Sequence, residues 1–349
     1  MFRSFLTVGM FFFIAIESVS AQIDIANFTD ATNDRFTNDA SFIGAGFDLS
    51  GVGRSNNNGR WGTLISPNAV LTALHVQPAV GSTFDFYPDN DPNSTPVQAI
   101  VTSTVRVGNT DLNIAILDRN VDPSIAVYNF VTDEYEGTPP ITTTNPDGST
   151  STQTLFNVNP SNISIIGQRT LVFGRSQSPS SSLNSTRNQA VGENLVFAYS
   201  ENVVFGSNTD NDTIILERDD PGTANALTHE THVRAGDSGA PTFLIDNATN
   251  ELILLGVNSF RLDSAPSFFS TGVTYAGNQM EEISAILDAN VIPPVLLGDC
   301  NFDGELNFLD IGPFIVILST GDFFEEADID ENGDVNFLDI GPFISLLSN

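Results

Sequence analysis

The sequence predicts a mainly β protein that ends in a small separate helical module. Three observations carry this. From Phe42 to about Val257, short apolar runs rich in Val, Ile, Phe and Thr alternate with turn clusters such as "SPN", "NPDG", "SQSPSSS" and "DNATN", a pattern of many short strands in a sandwich or barrels. A helical period appears only late, in "NQMEEISAIL", where Met280, Ile283, Ile286 and Leu287 share one face. Finally, "DCNFDGELNFLDIGPFIVILS" from Asp299 returns 29 residues later as "DIDENGDVNFLDIGPFISLLS" from Asp328.

Arg3, the apolar run "FLTVGMFFFIAI" and small residues Val19 and Ala21 read as a secretory signal over residues 1–21, too short to span a bilayer. The mature chain is therefore expected outside the cytoplasm, secreted or held in the periplasm or at the cell surface. No later segment approaches 18 uninterrupted apolar residues, so no membrane span is expected. Residues 22–41 are polar and read as a leader or pro-segment, loosely attached. The β domain is expected over 42–290, a linker over 291–298 ("VIPPVLLG") and the repeat module over 299–349.

Net charge is −31 and all 12 basic residues are arginine. A nucleic-acid partner needs a basic footprint, which this balance excludes. Cys300 is the single cysteine, so no internal disulfide can form and stability must come from the core or from bound ions.

The stretch "AGDSGAPTF", residues 235–243, sets Ser238 between glycines before an apolar run. A turn would use the same residues. A serine nucleophile needs a base, and the base needs a carboxylate to hold its tautomer. Of the three histidines, His229 and His232 lie within ten residues of Ser238, and His75 closes "RWGTLISPNAVLTALHV", a strand, a turn, a second strand and then Thr-Ala-Leu-His.

That segment resembles the histidine segment of chymotrypsin-like serine proteases, and "AGDSGAPTF" resembles their Gly-Asp-Ser-Gly-Gly-Pro, with Ala240 in place of the second glycine. "LLGVNSF" resembles their substrate-binding strand, and "TGVTY" with the helix near 280–287 resembles their closing strand and terminal helix. The resemblance implies two antiparallel Greek-key β-barrels, a triad of His75, Asp111 and Ser238, and an oxyanion hole from the N–H groups of Gly236 and Ser238. Asp111 opens "DLNIAILD"; a register two residues on would put Asn113 in its place, and the carboxylate is preferred on chemical grounds. Two departures stand out. The Ile-Val-Gly-Gly start of the trypsin subgroup is absent, so Asp237 must find another partner. The disulfides of the animal enzymes are missing too, which places the chain nearer the bacterial branches.

The function so implied is a secreted serine endopeptidase acting on protein or peptide substrates. The alternative is a catalytically silent protease fold that serves as a secreted binding or adhesive protein. The resemblance places the substrate pocket at His232, Ser259, Phe260 and Arg261. With no aspartate at the pocket floor and a guanidinium at its rim, cleavage after glutamate or aspartate is expected, with medium apolar residues next.

Each tail repeat sets oxygen-bearing side chains at loop positions 1, 3, 5, 9 and 12, with glycine at 6. These are Asp299, Asn301, Asp303, Asn307 and Asp310 with Gly304, and Asp328, Asp330, Asn332, Asn336 and Asp339 with Gly333. Position 7 would add a backbone carbonyl, from Glu305 and Asp334. The spacing is that of an EF-hand-type loop, so two Ca2+ sites are expected. Aspartate rather than glutamate at position 12 resembles the dockerin type I repeat. The apolar segments after each loop, Phe314 to Leu318 and Phe343 to Leu347, cannot hide all their surface on each other and point to docking on a cohesin-like or cell-surface partner. Positions 10 and 11, commonly polar in dockerins, are here Phe308-Leu309 and Phe337-Leu338, a departure from that family in the residues that choose the partner.

Overall fold

Strand-forming residues dominate the first 290 positions, and they build two closed antiparallel barrels. A computed structural model describes residues 22–132, 141–144, 150–153, 164–178, 182–205, 207–246, 249–264, 268–292, 296–321 and 323–348. The expected signal, the "NPDG" turn and residues 293–295 of the expected linker lie outside these. The chain divides into two compact units, Met1–Asn290 and Val291–Asn349, so the expected linker belongs to the second. Among the described residues no helix is long and apolar enough to cross a membrane.

The first unit opens with β1 (Asp24–Ile25) and the short helix α1 (Asp30–Asn33). The first barrel follows: β2 (Val52–Ser55), β3 (Trp61–Ser66), β4 (Ala69–Ala73), β5 (Thr83–Phe86), β6 (Val97–Arg106) and β7 (Leu112–Leu117), closed in the order β2-β3-β4-β7-β6-β5. A separate hairpin joins β8 (Ile141–Thr144) to β9 (Thr150–Gln153). The second barrel uses β10 (Arg169–Gly174), β11 (Ala190–Phe205) and β12 (Asn208–Glu217). After the two-residue β13 (Thr231–His232) come β14 (Pro241–Ile245), β15 (Leu252–Ser264) and β16 (Phe268–Tyr275). Its order is β10-β11-β12-β16-β15-β14.

The central strands are apolar on both faces for a definite reason. Alternate residues of a strand point to opposite sides. Val70, Ala115 and Leu117 join Leu64 and Phe84 in one core cluster. Their neighbours Leu71, Ala73, Ile114 and Ile116 join a second that also holds Phe173 and Phe243 of the other barrel. Helix α2 (Met280–Asp288) closes this unit. As its spacing requires, Ile283 is buried, with Met280, Ile286 and Leu287 packed on the same shared core.

Residues 22–41, expected as a loosely attached leader, are instead built into the unit. β1 pairs with β13, Ile23, Ile25 and Phe36 are buried, and so is Arg35. Arg35 explains the misreading. Its guanidinium donates to the carbonyls of Val52 and Tyr87 and to the side-chain oxygens of Gln189 and Asn90. A polar residue that looks solvated in sequence thus has its donors met inside the fold.

The second unit holds α3 (Ile311–Thr320) and α4 (Ile340–Leu347), each preceded by one of the repeated loops. Phe314 and Phe343, equivalent residues of the two repeats, stack with ring centroids 4.1 Å apart. Cys300, Ile317, Ala327 and Ile329 complete a small core around them.

Candidate active site

Strand pairing brings together residues that lie 36 apart in sequence. β4 runs antiparallel to β7, with Ala73 opposite Leu112, so the chain leaving β4 meets the chain entering β7. It turns there through a 3-10 segment, Leu74–Val76. The Leu74 N–H donates to the Asp111 carbonyl at 2.7 Å and the His75 N–H to Asp111 Oδ1 at 3.1 Å. His75 Nδ1 lies 2.7 Å from Asp111 Oδ2. A carboxylate accepts, so Nδ1 carries the proton and Nε2 keeps its lone pair. Asp111 is fully buried, whereas the imidazole keeps 29% of its surface exposed. Asn113, the other candidate, pairs with Thr72 further along the ladder, and its buried Oδ1 has no hydrogen-bond partner. The carboxylate on the imidazole is Asp111.

The serine arrives from the second barrel. Gly236 and Gly239 both hold positive φ, +100° and +83°, a conformation that costs glycine least. Gly239 also has no room for a side chain, because a Cβ there would come within 2.8 Å of Thr72 Oγ1 and 3.2 Å of Ala73 N. The loop carrying Ser238 is therefore pressed against the end of β4, the strand that delivers His75. Ser238 is half-buried. Asp237, Gly239 and Ala240 donate their N–H groups to the carbonyls of Arg234, Asn258 and Asp237. Among the described residues no acceptor takes the N–H of Gly236 or Ser238. Nor does a hydrogen bond join Ser238 to His75.

Asp237 finds its partners without a freed terminus. Its two oxygens accept the N–H groups of Arg175 and Arg234, each at 2.8 Å. Burial pushes its carboxyl up to about 7, opposed by those two N–H groups and then by the charges of Arg175 and Arg54. Gly174 is wedged between Asp237 and Ile23, with no space for a Cβ.

The expected pocket residues are placed less uniformly. His232 is fully buried on β13, its ring 5.6 Å from that of Phe269. Ser259 is buried, its hydroxyl 2.6 Å from that of Thr274. Phe260 is turned onto Gly272, where its ring fills the space of a side chain, and it stacks on Phe205 at 5.7 Å. Arg261 is exposed.

Sequence reading missed three residues of this site, all on the hairpin of β11 and β12. Asn211 Oδ1 accepts the Asp111 N–H at 2.6 Å, and Asn208 Nδ2 donates to Asp111 Oδ1 at 3.3 Å. The ring of Phe205 stands edge-on to His75, centroids 5.1 Å apart. No local motif signals them, because their contacts cross about a hundred residues of chain.

In the second unit the two loops form the same network. Asp299 accepts the N–H groups of Asp303 and Gly304, and Asp310 accepts those of Asn301 and Asn307. Asp328 and Asp339 repeat this with Asn332, Gly333, Asp330 and Asn336. Asn301 and Asp303 of the first loop, and Asn332 of the second, bond the amides of Asp303, Glu305 and Asp334. Gly304 and Gly333 take the positive φ expected at position 6. Carboxylate oxygens of Asp328, Asp330 and Asp339 lie within 4.8 Å of one another. Residues 291–349 contain no arginine, lysine or histidine, so no protein cation of this unit neutralises the cluster.

No protein-family model matches the chain, and no curated protein matches it. Among solved structures it is similar to the passenger domain of plasmid encoded toxin, an autotransporter enterotoxin from enteroaggregative Escherichia coli. The TM-score is 0.40 at 15% identity, over 68% of this chain and 22% of that one.

Proposed function

We propose that the first unit is a secreted serine endopeptidase with a chymotrypsin-like pair of Greek-key barrels, and that the second is a calcium-binding, dockerin-like docking module. The observation that carries the first half is the 2.7 Å contact of His75 Nδ1 with buried Asp111, set where the Ser238 loop abuts β4. Ser238 Oγ attacks the substrate carbonyl while His75 Nε2 takes its proton and later delivers it to the leaving amine. Asp111 holds the tautomer and stabilises the imidazolium. The uncommitted N–H groups of Gly236 and Ser238 receive the developing oxyanion, each worth roughly 3 kcal/mol. Water then releases the acyl group by the same proton path. Asp237 stands on Arg175 and Arg234, so the oxyanion loop is formed without a new N-terminus. Labelling by an active-site-directed fluorophosphonate tests this: wild type reacts at Ser238 and Ser238→Ala does not. A wild type that stays unlabelled makes the unit a catalytically silent binding protein.

The second half rests on buried acids without a cationic neighbour. An all-oxygen ligand set with glycine at the turn suits Ca2+. Phe308 and Phe337, 76% and 83% exposed, give the module apolar surface for a protein partner. Calorimetry of the chain with Ca2+ should find two sites, both lost in Asp299→Ala/Asp328→Ala.

A further inference from the structure

The hairpin that joins β11 to β12 has no part in the sequence motifs, yet it reaches from the second barrel onto the buried acid of the first. We infer that Asn208, held by Arg106, is a positioning residue that fixes the Asp111 carboxylate for His75. This deepens the endopeptidase reading and rests on it for its catalytic consequence.

Hydrogen-bond donors and acceptors settle both amide orientations. Arg106 donates through its guanidinium to Asn208 Oδ1 at 2.8 Å and to the Thr110 carbonyl at 3.2 Å. A guanidinium can only donate, so Asn208 must turn its oxygen to Arg106 and its NH2 to Asp111. Asn211 is fixed likewise. Its oxygen accepts the Asp111 N–H, and its NH2 donates to the carbonyls of Val203 and Asn208. The backbone adds one more tie, from Thr209 N–H to the Asn109 carbonyl. Asp111 Oδ1 is thus shared by the His75 N–H and Asn208, which leaves Oδ2 for His75 Nδ1 alone. Both asparagines are buried, so water cannot easily replace the donors.

The consequence has a sign. A donor on a carboxylate takes up part of its charge, and losing that donor leaves more of the charge facing the imidazolium. The charged form of His75 is then favoured and its titration moves to higher pH. Free rotation of the carboxylate also loosens the imidazole, which lowers kcat while leaving KM nearly unchanged, because neither group binds substrate.

The test compares wild type with Asn208→Leu and Arg106→Leu in the full chain. Peptide cleavage is followed against pH, and the His75 ring protons are titrated by NMR in a Ser238→Ala background. We expect kcat to fall about tenfold in Asn208→Leu, the strength of one hydrogen bond to a charged group, and the His75 titration to rise in both variants. Thr209→Ala, on the exposed tip of the same hairpin, should leave both readings as in wild type. Unchanged titrations in Asn208→Leu and Arg106→Leu would overturn the assignment, as would an equal change in Thr209→Ala. The titration needs no catalysis, so a chain that fails to cleave peptides removes the endopeptidase reading and leaves the positioning of Asp111 still open to test.

Discussion

Both units bury aspartates, and they neutralise them by different means. In the barrels, the Asp111 carboxylate is covered by the His75 N–H and ring and by the Asn208 amide, while Asp237 is covered by two backbone N–H groups beside Arg175 and Arg54. In the tail, Asp299, Asp310, Asp328 and Asp339 are nearly as buried, yet their partners within the loops are backbone N–H groups, in a unit with no basic residue. A buried charge is tolerated only when it is paired and hydrogen-bonded. The barrels carry their own counter-charges and donors, whereas the tail unit has no basic residue to supply a counter-charge. The first arrangement satisfies its acids from within the fold; under the proposed calcium reading, the second makes folding conditional on an ion.

The largest effect expected lies in the barrels. Ser238→Ala or His75→Ala should abolish cleavage in a folded protein, and Asp111→Asn should cost about 10⁴ in kcat, because an amide presents the wrong tautomer partner to Nδ1. Asn113→Ala should change the rate less than about tenfold, since its buried oxygen has no partner to lose. The contrast between Asp111→Asn and Asn113→Ala is measured on one peptide substrate, and a reversed order would reassign the acid.

Next comes the tail. Removal of Ca2+ should strip α3 and α4 of most of their helicity, because repulsion among the loop carboxylates then has no counterweight. The barrels should melt at the same temperature with and without chelator. Circular dichroism of the full chain followed during a thermal scan separates the two transitions. A tail transition that ignores chelator would break the comparison, since the buried acids would then be stable without a cation.

These two sites were legible in sequence to different depths. The strands, the closing helix and the His75 and Ser238 segments were legible because each is a local pattern of apolar period and turn residues. The tail loops were legible because six oxygen-bearing positions repeat at one offset. Asp111 was legible only as one of two registers, since alignment by two residues is a symmetry of the strand itself; the β4–β7 pairing broke the tie. Asn208, Asn211 and Phe205 were not legible at all. Nor was the docking of residues 22–41, where the buried polar residues Asn33, Asp34 and Arg35 wear the composition of a solvated leader.

A smaller effect sharpens the contrast through pH. Asp237 titrates near 7 in the fold against 3.8 for an ordinary aspartate. Between those values the native state binds a proton that the unfolded chain does not, so this group's contribution to stability is complete below about 4 and is lost as pH rises through 7. The loss is on the order of a few kcal/mol. In Asp237→Asn this group's share of the slope should vanish, while the share of Glu230, which burial also pushes up to about 7, remains. Melting temperatures of both proteins from pH 4.5 to 8 measure it: the wild type should fall by several degrees relative to the variant. Parallel curves would mean that Arg175 and Arg54 already keep the carboxylate charged in the fold.

The smallest effect concerns the residue before the cut. His232 is buried against Phe269 and cannot reach far, and Phe260 is committed to Gly272 and Phe205. Of the four expected pocket residues, this leaves Arg261 as the exposed one, on β15 opposite Thr271. A guanidinium at a rim exposed to water contributes little to binding, about 1 kcal/mol for an exposed pair. Cleavage after glutamate should therefore exceed cleavage after leucine only modestly, and Arg261→Ala should lower the glutamate rate about fivefold while leaving leucine untouched. Added salt should weaken the wild-type preference in the same direction, because a rim charge is screened and a buried one is not. Dominant cleavage after arginine or lysine would sink this pocket assignment. A preference for leucine that survives Arg261→Ala would make the pocket apolar and place Arg261 outside it.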